Sequence, residues 1–176
     1  MIYTQTIIKT VALSLISLML LNACQQENPK QEKTQNINDL EKKLFETKKG
    51  VIDRKEAANM IHTYIQYVDA FPSDSMSAKY LFKAADVSLN SFHSQQSIDL
   101  FNRILKEYPD YSKTPQALFL KAFTFENYLQ NLDSAKKNYQ LFLERYPNNA
   151  FANDAQLSLQ NLGKSPEEII QEFNNN

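Results

Sequence analysis

The apolar and polar positions of this 176-residue chain fall into three regimes. An apolar run from Val11 to Leu21 stands near the N-terminus, with Lys9 as the only charged side chain before Cys24. Residues 25–36 (QQENPKQEKTQN) then offer no apolar side chain suited to a core, and this composition predicts a flexible, disordered linker. From Ile37 onward apolar residues return every three or four positions. Ala57, Ile61, Tyr64, Ile65 and Val68 form one such stripe, and Ala135, Tyr139, Phe142, Leu143 and Tyr146 another. That period belongs to amphipathic helices.

Start and stop signals divide the helical region. Proline cannot continue a helix and pushes the preceding residue out of the helical region, so Phe71-Pro72, Tyr108-Pro109 and Tyr146-Pro147 each predict a sharp helix end. Asp53 with Glu56, and Ser165-Pro166 with Glu168, read as capping boxes, and Thr114 reads as a cap before Pro115. Gly163 suits a left-handed stop before the last helix. The three aromatic-Pro pairs also mark a repeat, with steps of 37 and 38 residues. A shift of 38 aligns Leu81 with Phe119, Ala84 with Ala122, Ser97 with Ala135, Phe101 with Tyr139 and Leu105 with Leu143. A shift of 37 aligns Ile61 with Ile98, Tyr64 with Phe101 and Val68 with Leu105. The expected architecture is all-α, a short right-handed solenoid of antiparallel helix pairs. Its units are a degenerate first repeat at 37–72, repeats at 75–110 and 113–147, and a terminal pair at 149–173. In that last pair Ile169, Ile170 and Phe173 form the apolar face of a solubilising cap.

Composition narrows the function. Two glycines, no tryptophan and a formal net charge of −1 fit a helical protein without the basic stripe that nucleic-acid binding requires. Without residues 1–23 the charge is −2, from 18 basic against 20 acidic side chains. The single cysteine excludes an internal disulfide. The apolar run is long enough for a signal-peptide core and short for a permanent span. Leu21-Asn22-Ala23-Cys24 resembles the bacterial lipobox, so residues 1–23 read as a lipoprotein signal peptide. The resemblance implies cleavage before Cys24 and lipid attachment there. Gln25, where an aspartate would imply retention in the inner membrane, implies the outer membrane, and the run Gln25-Gln26-Glu27-Asn28, without the acidic cluster of surface-exported lipoproteins, points to its periplasmic face.

The repeats resemble the tetratricopeptide family. With Pro147 in the proline slot, Phe119, Ala122, Ala135, Tyr139 and Phe142 fall in the family's order. With Pro109 there, Leu81, Ala84, Ala85, Ser97, Phe101 and Ile104 do so. Phe123 departs from the pattern where a small residue is usual. The long period and the ending Phe142-Leu143-x-x-Tyr146-Pro147 look like the variant of bacterial envelope proteins. The resemblance implies a groove lined by the first helix of each pair. Carried over by the same alignment, its positions are Lys79, Phe82, Asp86 and Asn90, then Leu120, Thr124, Asn127 and Tyr128.

No chemistry-bearing motif competes with this reading. His62 and His93 are isolated, and the carboxylates are scattered among lysines along helix faces. No phosphate loop or nucleophile elbow occurs. The sequence therefore predicts no enzyme, no cofactor and no metal. It predicts a membrane-anchored adaptor that holds envelope proteins through the groove. The alternative is self-association, in which the exposed apolar face of a short solenoid, or the stripe Ile37, Leu40 and Leu44, pairs two copies into a structural homo-oligomer.

Overall fold

The computed structural model describes residues 28–46 and 53–174, the side chains of 44–46, 173 and 174 excepted. The apolar run, Cys24 and the side chains of Leu44 and Phe173 lie outside the described residues. Among the described residues there are eight helices and no strand. They are α1 (Pro29–Glu46), α2 (Arg54–Ala70), α3 (Ser77–Asn90), α4 (Ser94–Glu107), α5 (Thr114–Asn127), α6 (Leu132–Arg145), α7 (Ala152–Asn161) and α8 (Pro166–Asn174). Each helix from α1 to α6 packs against the next in sequence, giving an all-α stack of helix pairs. The odd-numbered helices are the first members of the pairs.

The turn between pairs is built three times from the same bonds. The residue before each proline leaves the helical region with nearly identical torsions: φ −135° and ψ 57° at Phe71, −134° and 56° at Tyr108, −134° and 51° at Tyr146. The carbonyl of that residue accepts from the amide three positions on, at 2.9 Å from Asp74, 3.1 Å from Tyr111 and 3.1 Å from Asn149. A side-chain hydroxyl closes the first two turns from inside. Ser77 Oγ donates to the Phe71 carbonyl at 2.6 Å and Thr114 Oγ1 to the Tyr108 carbonyl at 2.8 Å. Thr114 is thus the first residue of α5 and not its cap, because its hydroxyl is spent on the turn behind it. Ala152 stands in the same place in the third turn and has no hydroxyl to give.

Two apolar clusters follow from this stacking. The first joins Tyr64, Tyr67, Tyr80, Leu81, Phe101 and Ile104, and the second joins Leu118, Ala122, Ala135, Tyr139, Phe142 and Ala155. Helix α5 belongs to both, with Ala117 in the first and Leu118 and Ala122 in the second. Phe101 and Tyr139 are fully enclosed, as wedges between helices should be.

The first and second helices repeat with different steps. Helix α5 begins and ends 37 residues after α3, whereas α6 begins and ends 38 after α4. The extra residue lies in the turn inside the pair. The closing amide runs from His93 to the Ser88 carbonyl at 2.9 Å, but from Asn131 back to the Phe125 carbonyl at 2.8 Å. This corrects the single step of 38 for the first helices. Leu81 corresponds to Leu118, both fully buried, and not to the half-buried Phe119. Phe119 corresponds instead to Phe82. Phe82 meets Phe101 edge-on at 6.4 Å, and Phe119 meets Tyr139 at 5.8 Å. Ala122 then takes the seam position of Ala85, and Phe123 no longer departs from the repeat.

The chain's two ends also differ from expectation. Residues 29–36, expected as linker, are the first turns of α1. Asn28 accepts from the Lys30 amide at 3.1 Å, Pro29 starts the helix, and Glu32 sits in its first turn, where the helix dipole favours it. Lys30 pairs with Asp74 in the first inter-pair turn, and Tyr67 donates to Asp74 at 3.0 Å. Ile37 is fully buried and Leu40 packs on the first cluster, so these two members of the stripe proposed for self-association are consumed inside the fold. At the other end, Ser165 and Glu168 form the reciprocal box, at 2.7 and 3.2 Å. Even so, α8 pairs closely with no other helix, and it leaves Ile170 60% and Leu157 47% exposed. The cap covers the end only in part.

Phe101→Ala is expected to cost about 3–5 kcal/mol in urea unfolding, because a buried wedge leaves a cavity. Phe92, exposed and at φ 63° in the α3–α4 turn, occupies the left-handed region that glycine adopts without strain. Phe92→Gly is expected to stabilise by up to about 1 kcal/mol in the same assay.

Candidate functional site: the face of the first helices

One face of α3 stays open along its length. Lys79, Lys83, Asp86 and Asn90 follow one another at steps of four, three and four, the spacing of a single helical stripe. Lys79, Asp86 and Asn90 are exposed and Lys83 is half-buried. Lys83 Nζ lies 2.6 Å from Glu41 Oε1 on α1, and Tyr64 donates its hydroxyl to the same oxygen at 2.8 Å. This three-way contact ties the first helices of two pairs to the second helix between them. Burial, then the bond to Glu41, holds the Tyr64 hydroxyl well above the usual tyrosine range. Asp86 is pushed up by partial desolvation, opposed by the nearby Lys113 and by Asn90. A carboxylate raised in this way, although its surface is exposed, marks a recessed position. Asn90 Nδ2 donates to the Asp86 carbonyl at 2.8 Å and to its carboxylate at 3.3 Å.

Phe82 is enclosed between Phe101 and Tyr111, with the Lys113 ammonium 4.9 Å from its ring centroid. It therefore supports the face from beneath.

The matching stripe on α5, taken at the step of 37, is Gln116, Leu120, Phe123 and Asn127. The step of 38 had put Thr124 there in place of Phe123. Thr124 is fully buried and its hydroxyl donates to the Leu120 carbonyl at 2.7 Å, so it has nothing left for a partner. Leu120 is half-buried against the first cluster. Phe123 is half-buried and meets the 40% exposed Tyr128 edge-on at 6.1 Å. Asn127 is exposed, with its amide on the Phe123 carbonyl at 3.1 Å. Of the eight residues expected from the sequence, Lys79, Asp86, Asn90, Leu120, Asn127 and Tyr128 share this face, while Phe82 and Thr124 lie under it. Phe123 and Lys83 were missed. The signal for Phe123 was the extra residue before Asn131, which sets the step of the first helices at 37, and that for Lys83 was its place four residues after Lys79 on the same stripe.

Lys121 takes the seam position that Ala84 fills in the preceding pair. Its side chain is half-buried, and burial alone pushes its ammonium below the usual lysine range.

The two stripes differ in chemistry. The α3 stripe is mostly charged, whereas the α5 stripe sets Leu120 and Phe123 between the amides Gln116 and Asn127, so the face offers ion pairing on one helix and hydrophobic anchoring on the other. Among the described residues no three His, Cys, Asp or Glu side chains group as a metal site. His93 Nδ1 lies 3.0 Å from Ser91 Oγ.

The family model of the tetratricopeptide repeat matches residues 79–111 and 116–149. Those two stretches, less than half of the chain, are similar to tetratricopeptide repeats. The matches begin 37 residues apart and end 38 apart, the same split of steps that the helices show. No curated protein matches the chain. Tetratricopeptide repeats are protein-interaction modules, and the face described above lies on the two matched repeats.

Lys121→Met keeps the half-buried stem and removes the desolvated charge, so it is expected to raise the unfolding midpoint at neutral pH. A lysine with a depressed folded pKa destabilises below that value, and the cost fades as pH rises toward the unfolded value. The gain should therefore shrink on the alkaline side in a pH series of urea midpoints.

Proposed function

We propose that this chain is a membrane-anchored lipoprotein of the bacterial cell envelope that recruits another envelope protein through the face of α3 and α5. The observation that carries the interaction half is the juxtaposition of the Lys79–Lys83–Asp86 stripe with the Leu120–Phe123–Tyr128 patch. Exposed aromatic side chains beside charged ones supply anchors for a partner segment, which repeats of this kind bind along their first helices. The anchoring half rests on the lipobox-like Leu21-Asn22-Ala23-Cys24. Two or three acyl chains on Cys24 would hold the domain to a membrane, where one chain binds only marginally. We place it on the outer membrane on the strength of Gln25, and facing the periplasm because residues 25–28 carry no acidic cluster.

A second reading keeps one specific support. Leu157 and Ile170 leave an apolar surface at the α7–α8 end, where two copies of a structural homo-oligomer would meet.

Phe123→Ala combined with Tyr128→Ala should weaken capture of the crosslinked envelope partner by about tenfold or more, as loss of an anchor worth 1.4–2 kcal/mol requires. Unchanged capture by the folded variant would refute the groove reading. Cys24→Ser should move the protein from the membrane fraction to the soluble one. A monomer by light scattering at high concentration would dismiss the homo-oligomer.

A further inference from the structure

The start of α1 at Pro29 shortens the tether that a linker to residue 36 would have provided. Five residue steps separate Cys24 from Pro29, and an extended chain of that length spans at most about 18 Å. A flexible linker to residue 36 would have let the domain swing freely, whereas a helix from residue 29 does not.

The topology says which side is tied down. The N-terminus of α1 is joined to the first inter-pair turn through Lys30 and Asp74. That turn lies on the same edge of the stack as the turns at Pro109 and Pro147, because all first helices begin there and all second helices end there. This edge shows Ser73, Ser75, Asp110, Ser112 and Asn148 to solvent. The exposed large apolar side chains lie elsewhere: Phe92, Tyr128 and Leu132 at the turns inside the pairs, and Leu157 and Ile170 at the C-terminal end. With 14 residues in each of α3 to α6, the two edges stand about 21 Å apart.

We infer that the domain stands on the lipid surface on its aromatic-proline edge, held there by the tether between Cys24 and Pro29, so that the Phe92–Tyr128–Leu132 rim points away from the membrane. A polar edge lies against head groups without inserting, and the apolar rim is kept out of the bilayer for a partner that approaches from the far side. The inference rests on the proposed lipidation of Cys24.

The test uses the full-length lipidated protein in phosphatidylethanolamine–phosphatidylglycerol vesicles bearing a head-group nitroxide. Ser73→Cys, Ser112→Cys, Gln95→Cys and Asp133→Cys are each labelled with a thiol fluorophore. The expected result is strong loss of fluorescence at positions 73 and 112 and none above background at 95 and 133. Inserting a flexible Gly/Ser segment of about ten residues between Gln26 and Glu27 should keep the protein on the vesicles and abolish the contrast. Equal quenching at both edges without the insertion, the reverse order, or a contrast that survives the insertion would each overturn the inference. If the unsubstituted protein stays off the vesicles or takes the label at Cys24, the anchoring reading itself has failed and the inference falls with it.

Discussion

The backbone bend before each proline is the constraint on which the other features depend. A helix must release its last carbonyls somewhere, and here the carbonyl of Phe71, Tyr108 or Tyr146 is taken by the amide of the following turn. In two of the three turns a Ser77 or Thr114 hydroxyl takes it as well. Satisfying that group fixes the chain's exit direction, so every new pair starts in the same orientation. From this follow the parallel first helices, the common edge of inter-pair turns and the enclosure of Phe101 and Tyr139.

A stack built this way has little freedom in its inter-pair turns, and variation collects in the turns within pairs. The α5–α6 turn holds one residue more than the α3–α4 turn, yet both close with an amide returning to the end of the first helix. Both also carry a residue at positive φ, Phe92 at 63° and Gln130 at 51°, and Gly163 at 79° does the same in the last pair. The first helices therefore repeat at 37 and the second at 38, and at the step of 37 it is Phe123, not the buried Thr124, that takes the surface place of Asp86.

The chemistry of the open face reflects which contacts the stack leaves unfilled. Position 83 is a lysine satisfied by Glu41 and position 120 a leucine resting on the first cluster, although both belong to the same stripe. Position 84 is a sealed alanine, whereas position 121 is a half-buried lysine whose charge is poorly solvated. Neighbouring repeats that share a backbone thus present different surfaces. That difference is what lets one short stack discriminate among partner segments.

The sequence by itself determined the helices, their ends, the repeat and the enclosed aromatics, because proline geometry, capping and the 3.6-residue period are local properties of the chain. It also carried the start of α1 in Asn28-Pro29 with Glu32, the same signal as Thr114-Pro115, although the polar composition of residues 25–36 masked it. The register of α5 was decided only by the tertiary structure. An extra residue in a turn is invisible to a comparison that slides whole repeats, and it becomes definite when Leu118 must fill the space that Leu81 fills one pair earlier. The same holds for the roles of Phe82, Thr124, Ile37 and Leu40. Periodicity marks a residue as apolar or polar, but only packing against a neighbouring helix decides whether it forms the surface or supports it.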